Sequence, residues 1–345
     1  MRYEIRAATE ADLDGLYELS RYLDSVNLPH NREEIEAMLG CSRGSFSADI
    51  ENAAERQYIF VLYDREQRRH VGTSMVFAQL GRPGVPYIYL DVLPEEKYSN
   101  TLKTHFVHQV LRIGYSFDGP TEIGGLVMHP EYRRSEGRLG MMISYIRFLW
   151  IAMHRDNFRD EVLAELMPPL EADGTSHLWE AVGRRFTGLS YQEADKLSKK
   201  NKEFIRGLFP DGAIYSSLLS AEAQSVIGEV GPQTKGVEKL LRRIGFRYAD
   251  RVDPFDGGPH FIAETGEISL IRDSRKVILG DELKGEGTRH LVAAEWDEAP
   301  FFRAASLLGQ SDPSDPSRFL ITASDRESLL GSGSELPLST WVLPL

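Results

Sequence analysis

The 345-residue sequence predicts an α/β protein that ends in a small β appendix. Three observations indicate this class. Segments rich in β-branched and aromatic residues alternate with segments whose apolar residues recur at helical spacing. The order strand, glycine-containing bend, helix occurs twice, about 100 residues apart, which suggests a duplicated α/β domain. After Glu264, short alternating segments replace the helical spacing.

The first predicted elements lie in the N-terminal third of the chain. Residues 3–6 predict a short strand, and Thr9 is the N-cap of the amphipathic helix that follows. The segment HFVHQVLRIGYS, from His105, fits either a strand or a short helix. Three further segments are rich in β-formers and predict strands, at residues 57–64, 68–80 and 86–93.

The stretch GGLVMHPEYRRSEGRLGMMI, residues 124–143, joins a strand to a helix through a basic, glycine-containing turn. The strand, predicted for 121–130, ends at Pro130, which has no N–H to donate to a sheet. Residues 139–154 are apolar almost all round, which predicts a core helix. Because a helix start presents unpaired N–H groups and the positive end of the helix dipole, we expect a phosphate or diphosphate site here. A surface turn with a solvated basic face explains the same residues.

The second half of the chain repeats this series of elements. Residues 161–168 predict a strand, 176–186 a helix, and 190–210 a polar helical region. Residues 224–252 have the pattern of a strand, a Gly-Pro bend, a helix and a second strand, and Gly245 ends the helix. The strands of the appendix are predicted for EISLIRD, KVILGDEL and RHLVAAEW.

Composition favours a globular cytoplasmic protein. Hydrophobic residues make up 41% of the chain and charged residues 27%. No apolar run reaches 18 residues and no basic-apolar leader follows Met1, so we expect neither a membrane span nor a signal peptide. The formal net charge of -12 argues against binding to nucleic acid or anionic lipid. An anionic ligand therefore needs a local cluster of arginines.

Cysteine and histidine usage predicts that the protein has no metal site. Cys41 is the only cysteine, which excludes an internal disulfide and a cysteine-rich metal centre. The nine histidines show no metal-binding spacing, and the pair in HFVH comes nearest to one. The sequence also lacks a G-x-S-x-G elbow and a Walker loop, which argues against common hydrolase and nucleotide-hydrolase classes.

Several segments together resemble the arginine N-succinyltransferase family, whose members consist of tandem GNAT-like acyl-CoA N-acyltransferase halves. The resemblance covers residues 1 to about 275 and is clearest from Thr121 to Pro259. It implies two mixed-sheet GNAT-like halves, at 1–155 and 156–265, followed by the appendix at 266–345. The matching segments are TEIGGLVMHPEYR, RFLWIAMHRDNF, VLAELMPP, LWEAVGRRF, EAQSVIGEVGPQT, LLRRIGFRY and VDPFDGGP.

The resemblance implies an enzyme that transfers the succinyl group of succinyl-CoA to the α-amine of L-arginine by direct attack in a ternary complex, with no permanently bound cofactor. Two alternatives remain open. One is an acyltransferase of the same fold with another acyl-CoA or amine, and the other is an inactive CoA-binding regulatory homologue. The sequence leaves the oligomeric state open, a homo-oligomer included.

The resemblance also implies which residues contact the acyl-CoA. Leu126 falls on the family's succinyl-CoA contact, in a strand whose backbone pairs with the pantetheine arm, and Val127 and Met128 line the same edge. These three residues are equally compatible with ordinary strand packing. The diphosphate contacts come from the turn and the helix start, at Arg133, Arg134, Gly137, Arg138 and Gly140.

The sequence departs from the family pattern in two places. The basic turn is longer by two residues, and Gly231 stands where the family has its proton-transfer histidine, so we expect Gly231→His to preserve turnover or raise it. The remaining candidates for the base are Glu122, His129, Glu229 and His260.

Asp256 is a candidate partner for the substrate guanidinium, although an aspartate that forms its own turn fits too. Arg147, in an apolar helix, is a candidate partner for a substrate carboxylate.

Overall fold

The computed structural model of the chain describes residues 1–22, 27–133, 135, 137–171, 173–198, 202–283, 285–331 and 337–345. Its strands are β1 (Tyr3–Ala7), β2 (Gln57–Asp64), β3 (Arg69–Phe77), β4 (Tyr87–Ser99), β5 (Thr104–Ser116), β6 (Thr121–Met128), β7 (Glu161–Glu165), β8 (Ile214–Tyr215), β9 (Arg247–Val252), β10 (Pro259–Glu264), β11 (Arg275–Gly280), β12 (Thr288–Glu295), β13 (Phe302–Ser311), β14 (Arg318–Leu320) and β15 (Ser339–Pro344). Its α-helices are α1 (Leu13–Leu19), α2 (Arg32–Phe46), α3 (Leu139–Met153), α4 (Arg184–Thr187), α5 (Tyr191–Ser198), α6 (Glu203–Leu208), α7 (Ala221–Val226), α8 (Lys235–Arg243), α9 (Ser269–Arg272) and α10 (Ala323–Leu330).

The chain forms two compact units, and each is discontinuous in sequence. Unit 1 contains residues 1–78, 123–159 and 265–345, and unit 2 contains residues 79–122 and 160–264. These limits differ from the continuous ranges expected for the two halves and the appendix, because the hairpin of β4 and β5 leaves unit 1 before the chain returns to it in β6. The division into tandem GNAT-like halves stays a prediction.

Unit 1 has a sheet in which β1 pairs with β2 and β2 with β3, all antiparallel, and β6 lies next to β3. Helices α1 and α2 contribute Leu16 and Leu39 to a core beneath these strands. Eleven of the 15 residues of α3 are buried, which confirms the predicted core helix. The Ser74 hydroxyl of β3 donates to the Ile143 carbonyl of α3 at 2.6 Å and fixes the helix on the sheet.

The C-terminal strands of unit 1 close into a small barrel, which confirms the predicted β appendix. Strand β13 pairs with β12, β12 with β15, β15 with β11, β11 with β14, and β14 again with β13. The barrel core includes Val277, Phe319 and Val342. Strand β13 also pairs with β1, where Ile5 lies opposite Ala304.

Unit 2 has strands in the order β7, β10, β9, β4, β5, β8, with antiparallel neighbours. Thr121 and Glu122, the first residues of β6, belong to this unit and pair in parallel with β7. Helices pack around the fully buried Trp179. The ambiguous segment from His105 is a strand because its cross-strand pairs with β4 run continuously to Ser116.

Two predicted strands of the second half are wrong. The segment EISLIRD, predicted as the first strand of the appendix, contains helix α9. The segment that follows Ser220 is helix α7, and of the residues just behind it Ile227 is extended while Gly228 has a φ of +74°. The Ser220 hydroxyl caps this helix by accepting a hydrogen bond from the Ala223 N–H at 3.3 Å. An N-cap serine of this kind favours helix over strand for the residues behind it. Within the described part of the chain, no helix combines the length and apolarity needed to span a bilayer.

Candidate functional site

The first candidate site, in unit 1, consists of the end of β6, the following turn and the start of α3. We call this feature the notch. Strand β6 contains Gly125 with a φ of +55°, a left-handed conformation within the strand. A Cβ atom at this position would lie 2.7 Å from Cγ and Sδ of Met75. This position therefore favours glycine, and it comes just before the residues expected to contact acyl-CoA.

The three residues after Gly125 combine packing with backbone exposure. The side chain of Val127 is buried in the core beneath β3, whereas Leu126 and Met128 are half-buried. Gly72 of β3 approaches closely, and a Cβ there would lie 3.0 Å from the Val127 carbonyl oxygen. Ordinary strand packing thus holds for Val127, and a backbone contact to a ligand remains compatible with it.

The turn after β6 is held by its own side chains. The His129 N–H donates to the Val71 carbonyl at 2.9 Å, and a short 3₁₀ helix spans Pro130–Tyr132. Arg133 is exposed, and its Nε donates to the Met128 carbonyl at 3.2 Å. Arg134, a predicted diphosphate contact, lies outside the described residues.

The start of α3 has the features expected of an anion site. Gly137 and Arg138 have φ values of +101° and +54°, and the side chain of the N-cap residue Arg138 makes no capping hydrogen bond with the described residues. The first helical hydrogen bonds run from Met141 and Met142 to the Arg138 carbonyl. The N–H groups of Leu139 and Gly140 come before these bonds, in the part of a helix where N–H groups have no partner within the helix. The nearest atom to a Cβ added at Gly140 would be Cγ of Met128, at 3.7 Å. These N–H groups and the dipole of a 15-residue helix favour a negative charge at this point.

His129, a predicted base, is part of the internal hydrogen bonding of unit 1. It is only 3% exposed. Its Nε2 lies 2.8 Å from a guanidinium nitrogen of Arg69 and 3.2 Å from the Tyr22 hydroxyl. Since a guanidinium can only donate, Nε2 accepts from Arg69. A ring nitrogen occupied in this way has little capacity left for a substrate proton.

The second candidate site, in unit 2, is formed by Glu165, Asp253, Asp256 and His260, and we call it the carboxylate recess. Glu165 ends β7, and the antiparallel register places His260 of β10 directly opposite it. Asp253 follows the last residue of β9. One donor atom from each of Glu165, Asp253 and His260 lies within 4.8 Å of the others. This spacing suits a single cation, either organic or metallic.

His260 is the fully buried centre of this recess. Its Nδ1 lies 2.6 Å from the Tyr87 hydroxyl, and its Nε2 lies 3.4 Å from Oε1 of Glu165. Nε2 makes no hydrogen bond with the residues that the structure describes. Burial lowers the pKa of His260 to about 4, so the ring is neutral near pH 7.

The recess carboxylates are crowded together. Burial raises the pKa of Glu165, and burial together with the charge of Glu165 raises that of Asp253. Burial and the charge of Asp253 raise the pKa of Asp256 well above its ordinary value. A third of the Glu165 side-chain surface nevertheless stays exposed, so the recess is open to a ligand. A cation placed among these carboxylates would offset their mutual repulsion.

Asp256 also forms its own turn. Its Oδ1 accepts the Gly258 N–H at 2.7 Å, and Asp253 Oδ1 accepts the N–H groups of Phe255 and Asp256 at 2.7 and 3.3 Å. These bonds confirm the alternative of a turn-forming aspartate. They also hold the carboxylates of Asp253 and Asp256 in fixed orientations within the recess.

The other candidate residues are not members of the notch or of the carboxylate recess as defined above. Glu122 is buried in the part of β6 that belongs to unit 2. Glu229 is exposed and borders a pocket of about 280 Å³, together with Lys235 and Arg242. Of the four candidate bases, His260 alone is a member of the carboxylate recess.

Arg147 is a buried cation in the middle of α3 and is only 2% exposed. Its Nε donates to the Ser144 carbonyl at 3.0 Å, and one terminal nitrogen donates to the Ser144 hydroxyl at 2.7 Å. Burial lowers its pKa to about 9. No carboxylate pairs with it among the described residues.

Gly231 lies against the end of β7. Its N–H donates to the Met167 carbonyl at 2.9 Å, and the Thr234 hydroxyl donates to the same carbonyl at 2.9 Å. A Cβ on Gly231 would lie 2.6 Å from the Pro168 carbonyl oxygen and 2.8 Å from that of Met167. The backbone therefore leaves no room for a side chain where the resemblance places the family histidine.

Sequence reasoning missed three residues of the recess and its support, namely Tyr87, Glu165 and Asp253. Weak signals existed for two of them. Glu165 lies near the end of a predicted strand, and Asp253 opens the DPFDGGP segment that also contains Asp256. Nothing local in the sequence connects Tyr87 to His260, since 173 residues separate them.

Comparison with known proteins shows a consistent similarity. A family model described as the arginine N-succinyltransferase beta subunit matches residues 3–270. The arginine N-succinyltransferase of Yersinia enterocolitica is 32% identical, with 95% of this chain and 94% of that protein aligned. That of Salmonella arizonae is 33% identical, over 94% and 93% of the two chains. The solved structure of arginine/ornithine succinyltransferase subunit AI from Pseudomonas aeruginosa superposes with a TM-score of 0.81 at 28% identity, covering 99% of this chain and 98% of that one.

Proposed function

The chain belongs to the arginine N-succinyltransferase family, and from that premise we propose that it transfers the succinyl group of succinyl-CoA to the α-amine of L-arginine. It is an acyltransferase. The carboxylate recess is the observation that supports a cationic acceptor, because it brings two carboxylates to one neutral histidine, with Asp256 beside one of them. Succinyl-CoA as the co-substrate and a cytoplasmic location belong to the same proposal.

The notch is the proposed acyl-CoA site. The N–H groups at the start of α3 receive the diphosphate, and the arginines of the turn add charge-assisted contacts. The backbone of Leu126, Val127 and Met128 lies along the pantetheine arm. The left-handed backbone at Gly125 supports this role because it directly precedes these residues.

The carboxylate recess is the proposed acceptor site. Asp256 pairs with the guanidinium of arginine, and Glu165 and Asp253 add negative potential. The neutral α-amine nitrogen attacks the thioester carbonyl, forming the C–N bond. The C–S bond then breaks, and the proton lost by nitrogen balances the thiolate of coenzyme A. Binding both substrates in one ternary complex can contribute about 7–11 kcal/mol towards the barrier.

A thiol-release assay tests the proposed reaction. The purified protein is incubated with each pair drawn from succinyl-CoA or acetyl-CoA and L-arginine, L-ornithine or L-alanine, and product mass is measured alongside thiol. We expect the highest kcat/KM for succinyl-CoA with L-arginine, and N-succinylarginine as product. Turnover confined to other pairs would assign a different acyl group or amine. Binding of CoA without turnover of any pair would indicate a regulatory homologue.

Arg147 is the proposed partner of the succinyl carboxylate, and Arg147→Met tests this role. Removing a buried, unpaired charge should stabilise the free protein by about 1 kcal/mol or more, visible as a higher Tm. The same change should raise KM for succinyl-CoA by ~10-fold or more, because a hydrogen bond to a charged group contributes about 1.5–3 kcal/mol.

Acetyl-CoA, which has no free carboxylate, is the control substrate for this variant, and its slow turnover should change little. Equal losses with succinyl-CoA and acetyl-CoA would mean that Arg147 supports the fold of α3 and does not contact the acyl group.

A further inference from the structure

The carboxylate recess presents the ligand set of a transition-metal site. It offers one imidazole nitrogen and two carboxylate oxygens from three separate elements, all within 4.8 Å of one another. Zinc binds histidine nitrogen and carboxylate oxygen at about 2.0–2.2 Å. Side chains already this close need to move by only ~1 Å to share one ion. Three protein ligands with a water molecule in the fourth position is a common zinc arrangement.

The ring of His260 provides a second, independent observation. It is fully buried, and its Nε2 points towards Glu165 without a hydrogen bond among the described residues. A buried polar atom without a partner is costly, and a metal ion on its lone pair removes that cost. The other ring nitrogen lies 2.6 Å from the Tyr87 hydroxyl. When Nδ1–H donates to this oxygen, the Nε2 lone pair faces the carboxylates, as in metal sites where a second hydrogen bond orients the ligating imidazole.

The charges around the recess also favour a dication. The Asp256 N–H donates to Oδ1 of Asp253 at 3.3 Å, so Asp256 lies beside this ligand without being one itself. Among the described residues, the basic side chains that act on the three ligands are those of Lys202 and Arg251. Arg251 is already paired with Asp91 at 3.1 Å. A bound dication offsets the repulsion among the carboxylates more fully than a single ammonium group can.

We propose that the carboxylate recess binds one Zn²⁺ ion through Glu165, Asp253 and His260, and that the bound ion excludes the cationic acceptor. Zinc is then a reversible inhibitor that competes with the acceptor and not with acyl-CoA. The binding step stands on the geometry alone. The competition rests on the proposed function, which assigns the acceptor to the same recess.

Zinc binding is measured on the full, chelator-treated chain by titration against a chromogenic chelator. We expect one ion per chain for the unmodified protein. Glu165→Gln keeps the shape of the side chain and should weaken binding by at least ~10-fold, since even outer-shell changes cost about 10–100-fold. The matched control is Glu171→Gln. This exposed glutamate also lies next to a histidine, with its Oε1 2.6 Å from Nε2 of His177, but it is not part of the recess. This control should leave zinc affinity unchanged.

Tyr87→Phe provides a second test that leaves all three ligands in place. It removes the hydroxyl that orients His260 and should weaken zinc binding by about 10–100-fold. The Co²⁺ form should show a visible absorption band, and Glu165→Gln should reduce this band while Glu171→Gln leaves it. An unmodified chain that binds no zinc would overturn the proposal. It would fall equally if Glu165→Gln and Tyr87→Phe bound zinc as tightly as the unmodified chain.

Steady-state kinetics with and without zinc distinguish failure of the metal site from failure of the proposed reaction. With zinc present, the apparent KM for arginine should rise while that for succinyl-CoA stays constant. If zinc binds as expected but arginine is not succinylated, the proposed function fails and the metal site stands. If arginine is succinylated and zinc neither binds nor inhibits, the metal site fails and the function stands.

Discussion

Replacing Gly231 with histidine should destabilise the protein by about 3 kcal/mol or more and abolish most of its activity. The reason is steric, because a Cβ at this position would lie 2.6 and 2.8 Å from two backbone carbonyl oxygens. Overpacking typically costs about 1–3 kcal/mol even where side chains can yield. Here the neighbours are backbone atoms, and the Gly231 N–H bond to the Met167 carbonyl holds them close.

Urea unfolding measures this loss, and Gly236→Ala is the matched control. Gly236 lies in α8 with no atom within 4 Å of an added Cβ, so alanine should stabilise the helix by up to about 1 kcal/mol. A Gly231→His protein with unchanged stability would show that the segment after β7 can move. This expectation reverses the one drawn from the sequence, in which restoring the family histidine preserves or raises turnover.

Replacing Asp256 with asparagine should lower kcat/KM for L-arginine by ~100-fold, or about 3 kcal/mol. The substitution keeps the oxygen that accepts the Gly258 N–H, so the turn is preserved while the negative charge is lost. Removing one partner of an enclosed, hydrogen-bonded charge pair costs about 2–5 kcal/mol. Steady-state kinetics should show an unchanged KM for succinyl-CoA.

Asp173→Asn is the matched control for this substitution. Asp173 also forms a local turn, by accepting the Thr175 N–H at 2.9 Å, but it is exposed. Its replacement should leave all kinetic constants unchanged. If Asp256→Asn behaved in the same way, Asp256 would be a turn residue only, and the acceptor would have to bind through other groups.

The notch could be predicted from the sequence because it lies on one continuous stretch of chain. A strand at 121–130 and a core helix at 139–154 were expected, and the structure has them at Thr121–Met128 and Leu139–Met153. The signals were local: a proline that ends the strand, glycines in the turn, and helical spacing behind it.

The carboxylate recess could not be predicted in the same way, because sheet pairing assembles it from distant segments. Glu165 and His260 face each other through the register of β7 and β10, and the hairpin of β4 and β5 contributes Tyr87. A search for metal-binding spacing in the sequence detects only ligands that lie close together on one helix, strand or loop. The expectation of no metal site rested on such spacing, and it stays a prediction that the proposed zinc titration tests.

Gly231 shows a different limit of sequence reasoning. Against the family pattern, the glycine looked like the loss of a catalytic group. In the structure, Gly231 lies where two backbone segments approach each other closely. Such a contact depends on three-dimensional packing and cannot be predicted from a sequence motif.

The pairing of Ile5 with Ala304 has a consequence for biosynthesis. On a ribosome, β1 emerges almost 300 residues before its partner β13, and the sheet of unit 1 therefore spends most of translation with an open edge. Unit 2, whose segments end at residue 264, can close before that point. Unit 2 should therefore fold first during synthesis. The N-terminal strands of unit 1 should depend on chaperone protection until the barrel has formed.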